Sequence, residues 1–375
     1  MSLQLPPPRW IASDAALAEA CQHWQTLDWL ALDTEFIRTS TFYPRPGLVQ
    51  VGDLEHNWLI DPLEIQDWSA FAAVLSDESV VKVFHACAED LEVCRLLTGT
   101  LPAPLFDTQL AMAFLGLGSS VGFQRAVADL LEVDLPKGAT RTDWLQRPLT
   151  AVQVEYAAAD VHFLRQLYPM LAQRLDEAGR TDWLNEEAQR QLRQATEVDF
   201  SQAYQRVKLG WKLRPQEQAV LQSIAAWREE EARARDVPRN KVADDSALWN
   251  IARFRAKNRD QLIKAGIKPA IVRECGQALL QKVSAALALD SQQWPQQLNK
   301  PLSIDDGNRM KALKKQVVAE AERRKLPPEL LANKKMLDAL VRHNGQLPVE
   351  MTGWRRALIG DALVASLSAM LATGN

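Results

Sequence analysis

The sequence predicts an α/β protein, a mixed β-sheet flanked by helices, followed by an all-α tail. Short apolar runs alternate with helix-spaced segments early in the chain, whereas no convincing strand appears beyond about residue 205. Charge divides along the same line. Residues 1–200 carry 14 Lys+Arg against 29 Asp+Glu, a balance of −15, and residues 201–375 carry 30 against 18, a balance of +12. An acidic α/β half joined to a basic helical half suggests a polyanionic partner, nucleic acid foremost, although a solvated basic helix surface would look similar.

Taking the elements in order, Trp29-Leu-Ala-Leu-Asp33 has the length and apolarity of a short strand. Leu48-Val-Gln-Val51 and Asn57-Trp-Leu-Ile60 flank Gly52-Asp53, the signature of a hairpin turn. Val80 to Phe84 is another strand, followed by helical spacing of Leu91, Val93, Cys94 and Leu97. Residues 108–117, 122–132 and 151–177 read as helices. In the tail, Leu213-Arg-Pro-Gln opens a helix with proline in its first turn, and Val220, Leu221, Ile224 and Trp227 form its apolar stripe. Breaks at Pro238–Lys241 and Gln292–Pro301 separate the later helices. Domain boundaries are expected near 205 and 295, giving 1–205, 206–294 and 295–375.

Composition narrows the function classes. Four cysteines without a CxxC pair, and only five histidines, argue against a zinc ribbon and a disulfide framework. Reduced thiols in the cytoplasm fit best. The N-terminal segment lacks a basic stretch followed by an apolar one, and no run of about 18 apolar residues occurs, so neither a secretory signal nor a membrane span is expected.

Three segments carry candidate chemistry. Asp33 and Glu35 lie two apart, so on an extended segment both carboxylates face one side. Alone the pair is weak, because Asp53-Leu-Glu55 and Asp90-Leu-Glu92 repeat the spacing and charges at strand ends are common. Tyr156 and Asp160 lie four apart, on one helix face, separated by three alanines that would allow a close approach. Asp90 follows a strand and opens a helix, where an acidic residue also suits the helix dipole, and Glu89 competes with it. Asp107 reads as an N-cap, Asp61 as a turn residue and His85 as a satisfied strand-end histidine. Taken together the segments offer four carboxylates and a phenol, a set suited to hard divalent cations and phosphodiester cleavage.

In combination these pieces resemble the DEDD 3′–5′ exonucleases of the tyrosine-containing subclass. The resemblance spans residues 28–170, through LDTEF-R at 32–38, HA--ED at 85–90, FDTQLA at 106–111, RTDW at 141–144 and EYAAAD at 155–160. It implies a ribonuclease H-like sheet and two divalent metal ions, Mg²⁺ or Mn²⁺. Asp33 would bridge both ions, Glu35 and Asp160 complete one site, and Asp90 hold the second, directly or through water. Tyr156 would orient the attacking water. Residues 213–287 are similar to the HRDC domain, and residues 300–372 to a second, divergent copy. The proline expected after Ile251-Ala252 is missing, and Arg253-Phe-Arg-Ala-Lys-Asn258 stands there instead. The resemblance further implies hydrolysis of RNA from its 3′ end, releasing 5′-monophosphates, with tRNA precursors as expected substrates and a monomeric enzyme. A DNA 3′–5′ exonuclease and an inactive RNA-binding scaffold remain as alternatives, because the carboxylates meet phosphate and not the 2′-hydroxyl.

Overall fold

Six strands pair into one sheet in the computed structural model, which describes residues 5–136, 142–196 and 199–373. They are β1 (Arg9–Ile11), β2 (Trp29–Ile37), β3 (Arg45–Gly52), β4 (Asn57–Ile60), β5 (Val81–Phe84) and β6 (Leu105–Asp107), in the spatial order β1-β4-β3-β2-β5-β6. β3 and β4 run antiparallel, with Val49 opposite Ile60 and Gly52 opposite Asn57. The pairs β1–β4, β2–β5 and β5–β6 are parallel, so the sheet is mixed, as the sequence predicts. Asp53 closes the hairpin: its Oδ1 accepts from the amides of Glu55 at 2.8 Å and His56 at 2.5 Å.

Side-chain alternation in β2 decides which helices cover which face. Leu30 and Leu32 pack with Leu17, Trp24, Val49, Val51, Phe71 and Leu91, under α1 (Asp14–Trp24), α2 (Ser69–Ser76) and α3 (Ala88–Thr98). Ala31 faces the other way. It shares a core with Val83 of β5, Ala111 and Phe114 of α4 (Thr108–Phe114), Ala126 and Val127 of α5 (Phe123–Leu131), and Ala159, Val161 and Leu164 of α6 (Ala151–Glu177). A capping box starts α6, with the Thr150 side chain accepting from the Gln153 amide. Its close seat on the sheet needs Gly52, where a Cβ would come within 2.9 Å of the Val161 carbonyl oxygen. α7 (Thr181–Thr196) follows.

The chain gathers into two compact units. One comprises residues 1–37, 46–196 and 302–375, and the other 38–45 and 197–301. The second holds α8 (Pro215–Ala234), α9 (Arg239–Val242), α10 (Asp245–Phe254), α11 (Arg259–Ala265) and α12 (Pro269–Leu287) around Val220, Leu221, Ile224, Trp227, Leu248, Ile251 and Leu279. Proline takes the first helical position of α8, as its sequence suggests.

Residues 302–373 return to the first unit as α13 (Ile304–Arg324), α14 (Pro328–Leu331), α15 (Lys334–Arg342) and α16 (Asp361–Thr373). Trp354 stacks on Trp183 at 5.3 Å and meets the edge of Phe114 at 5.2 Å, while Arg355 pairs with Glu187. The stretch Arg356–Thr373 is 18 residues long with mean hydropathy 1.3, enough by length and composition to cross a membrane. Its Ile359, Leu363 and Leu367 are instead buried in the core that also holds Leu167, Leu313 and Leu340.

Candidate active site

Strand β2 delivers Asp33 and Glu35 to the face covered by α6, and α6 delivers Tyr156 and Asp160. Ala157, Ala158 and Ala159 are all buried between the latter two, so the small side chains seat the helix on the sheet. Carboxylate oxygens of Asp33, Glu35 and Asp160 lie within 4.8 Å of one another. Asp160 is far from Asp33 and Glu35 in sequence and meets them only because α6 crosses β2. Asp53 and Glu55, with the same spacing, sit at the β3–β4 turn, where Asp53 is committed to the amides of Glu55 and His56.

Asp90 arrives from the opposite side of β2. Thr34 alternates away from Asp33 and Glu35, and its Oγ1 donates to Asp90 Oδ1 at 2.5 Å, both groups being buried. Glu89 is exposed and lies outside this arrangement. Asp107 does more than cap α4. Besides accepting from the Gln109 amide at 2.9 Å, it accepts from Ala86 N at 3.0 Å and Cys87 N at 3.2 Å. It therefore pins the turn, with Ala86 at φ 61°, that launches α3 and aims Asp90. His85 is held between Thr108 Oγ1 at 2.8 Å and the Val121 carbonyl at 2.9 Å, a satisfied histidine. Asp61 accepts from the Leu63 amide at 3.0 Å and also receives a two-pronged ion pair from Arg147, at 2.5 and 2.6 Å. Thr34 and the second role of Asp107, beyond its predicted N-cap, are the supports that the sequence alone does not show; a hydroxyl between the two acids of the D-T-E triplet is the signal for the first. Within the RTDW segment, Trp144 is buried beside Tyr156, with ring centroids 6.1 Å apart, and Arg141 lies outside the described residues.

Crowding shows in the acidities. Burial, then the charges of Asp33 and Asp90, push Glu35 from 4.5 to about 9. Asp33 rises well above its ordinary value through burial and the charges of Asp160 and Asp90, and Asp160 through burial and the charge of Glu35. Burial lifts Asp90 to about 7, against the pull of the Thr34 hydrogen bond. The Tyr156 phenol is pushed upward by burial and then by Asp160, so it stays protonated at neutral pH. Asp160 Oδ2 is buried without a hydrogen-bond partner. An all-oxygen donor set, an orphaned carboxylate oxygen and mutually repelling acids together fit a hard divalent cation.

Comparison with known proteins gives the family. Residues 8–176 match the 3′-5′ exonuclease family DNA_pol_A_exo1, and residues 217–283 match the HRDC domain. Ribonuclease D of Pseudomonas paraeruginosa (strain DSM 24068 / PA7) is 47% identical over 373 residues, covering 98% of this chain and 99% of that protein. Ribonuclease D of Escherichia coli (strain K12) is 38% identical over 364 residues, covering 94% of this chain and 96% of that protein. The crystal structure of Escherichia coli RNase D, described as an exoribonuclease involved in structured RNA processing, superposes with a TM-score of 0.90 at 37% identity. It covers 96% of this chain and 99% of that one.

Proposed function

Because the chain belongs to the ribonuclease D family, we propose that the carboxylate cluster is the catalytic centre of a 3′–5′ exoribonuclease that releases 5′-monophosphates and trims tRNA precursors. Asp33, Glu35, Asp90 and Asp160 would hold two divalent ions, Mg²⁺ or Mn²⁺. Such ions, when bound, supply Lewis-acid stabilisation of the phosphate and acidify a water molecule. The observation that carries this reading is the convergence of Asp33, Glu35 and Asp160 oxygens within 4.8 Å, with Asp160 Oδ2 left without a protein partner.

Each side chain has a part to play. Thr34 holds Asp90 in place by the 2.5 Å hydrogen bond, and Asp107 fixes the turn that presents it. Tyr156, protonated near neutrality, acts as a hydrogen-bond donor that orients the attacking water and not as a base. We assign the domains as an exonuclease domain over 1–205, an HRDC domain over 206–294 and a second HRDC-like domain over 295–375. A monomer in the cytoplasm completes the reading.

The test is incubation of the purified protein with 5′-labelled single-stranded RNA or matching DNA, in Mg²⁺ or EDTA. Metal-dependent shortening from the 3′ end on RNA alone is the expected result. Equal shortening of DNA removes the substrate claim, and binding without cleavage in both Mg²⁺ and Mn²⁺ refutes the catalytic one.

A further inference from the structure

The segment that replaces the expected proline in the HRDC region exposes an aromatic ring among cations. Phe254, the last residue of α10, is 73% exposed. Between Arg253 and Lys268 the chain carries six Lys or Arg and a single acid, Asp260. Lys257, Arg259, Lys264 and Lys268 are exposed and form no ion pair among the described residues. An unburied phenyl ring is costly in water, and here it is surrounded by charges that a neutral apolar partner would have to desolvate.

The turn that presents Phe254 is held from both sides. Arg255 takes the left-handed conformation at φ 53° and caps α10 through its amide to the Ile251 carbonyl. Buried Glu217 anchors both flanks, meeting Arg253 at 3.0 Å and Arg255 at 3.8 Å. Beside the ring lies a cavity of about 310 Å³ lined by Asn250, Phe254, Ala256, Gln261, Lys264 and Ala265. Its floor is apolar, because Ala256 and Ala265 are buried. Its rim is polar. Gln261 Oε1 accepts from the Lys257 amide at 2.6 Å, which leaves the amide nitrogen of Gln261 as a donor, and Lys264 supplies charge.

We propose that Phe254 and this cavity form a stacking site for one unpaired nucleotide of RNA. The base stacks on the phenyl face and enters the cavity, and Lys257 and Lys264 meet the flanking phosphates. An aromatic face set among cations matches a ligand whose bases are flat and whose backbone is anionic. The site rests on the ribonuclease reading for its choice of RNA, but it can fail separately from that reading.

The experiment measures binding of a labelled single-stranded RNA to the full chain in EDTA, across a salt series. Phe254→Ala should weaken affinity about 5- to 150-fold, the range for loss of one base–aromatic stack. Phe254→Leu should behave like alanine, because it keeps the apolar surface and removes the π face. Phe254→Trp should bind at least as well as the original chain. None of the three should change the salt slope, whereas Lys264→Ala should lower it by about one. Thermal melting of each variant, with the ring exposed in the folded state, separates lost binding from lost structure. Unchanged affinity in Phe254→Ala, or full retention in Phe254→Leu with loss in Phe254→Trp, overturns the stacking site. The latter pattern reassigns the ring to a protein partner. Cleavage by the unsubstituted chain in Mg²⁺ is scored separately: RNA binding through Phe254 without cleavage sinks the exonuclease reading and leaves this site standing.

Discussion

Replacing Glu35 with glutamine should stabilise the metal-free protein, and the gain should grow with pH. In the folded chain Glu35 titrates at about 9, against 4.5 for an ordinary glutamate, so above pH 4.5 the folded state binds a proton that the unfolded state has lost. Stability must then fall as pH rises from about 4.5 towards 9, the reverse of a salt-bridged carboxylate, whose contribution is lost in acid. Each pH unit in that window costs about 1.4 kcal/mol, so an unscreened Glu35 would cost about 5 kcal/mol at pH 8. The side chain is only half-buried, so solvent screens part of that cost. We therefore expect the glutamine, which carries no charge to desolvate, to recover about 1–3 kcal/mol at pH 8 and almost nothing at pH 4.5. At about 2–4 °C per kcal/mol, thermal melts in EDTA should show a gap of roughly 2–12 °C at pH 8. Glu55→Gln, at the exposed β3–β4 turn, is the control and should show no gap. Added Mn²⁺ should raise the melting temperature of the original chain more than that of the variant, because it neutralises the repulsion at its source. A gap that is absent at pH 8, or equally large at pH 4.5, refutes the account of the site as a set of mutually repelling acids.

Asp33→Ala should reduce RNA hydrolysis to background while leaving RNA affinity in EDTA roughly unchanged, and retained cleavage would end the metal-centre assignment. Tyr156→Phe should lower turnover less than loss of a carboxylate does; turnover equal to that of the original chain would remove the phenol from the mechanism. Thr34→Val deletes the hydroxyl that holds Asp90, and titration calorimetry should find Mn²⁺ affinity about tenfold weaker or worse, as for other residues that orient metal ligands. Equal affinity would make Thr34 a packing residue only. Trp354→Ala should destabilise the chain by about 3–5 kcal/mol in urea, because a buried ring stacked on Trp183 is removed. A loss under about 1 kcal/mol would mean that the C-terminal helices add little to the core they share with α6.

The main elements were legible because they are periodic or punctuated. The β3–β4 hairpin was marked by Gly52-Asp53, α6 by its length, and α8 by Pro215 in its first turn. β1 and β6, at three residues each, are too short for any period to register, and pairing with β4 and β5 makes them strands. α1, α2 and α7 lie outside the predicted helices, although Ser13 caps α1 with its side chain. The packing of residues 302–373 into the first unit was beyond reach. It depends on contacts such as Arg355–Glu187, between residues that no local pattern connects.

The site shows the same division between what is local and what is not. Asp33, Glu35, Tyr156 and Asp160 were found by spacing and resemblance, yet spacing alone could not separate Asp33-Thr-Glu35 from Asp53-Leu-Glu55. Partners separate them. Asp53 is buried with its oxygens committed to the Glu55 and His56 amides and to the Trp58 indole at 2.6 Å. In the Asp33 cluster the Thr34 amide donates to Asp33 and the Tyr156 phenol to Asp160, but burial and mutual repulsion outweigh them and the acids are driven upward. The fold tolerates this crowding of acids where it would serve as a binding surface for cations. By that argument the substitutions that most damage catalysis, Asp33→Asn and Glu35→Gln, should be the ones that most stabilise the metal-free chain. A pair of inactive variants that melt below the original chain in EDTA at pH 8 would show the conflict to be absent.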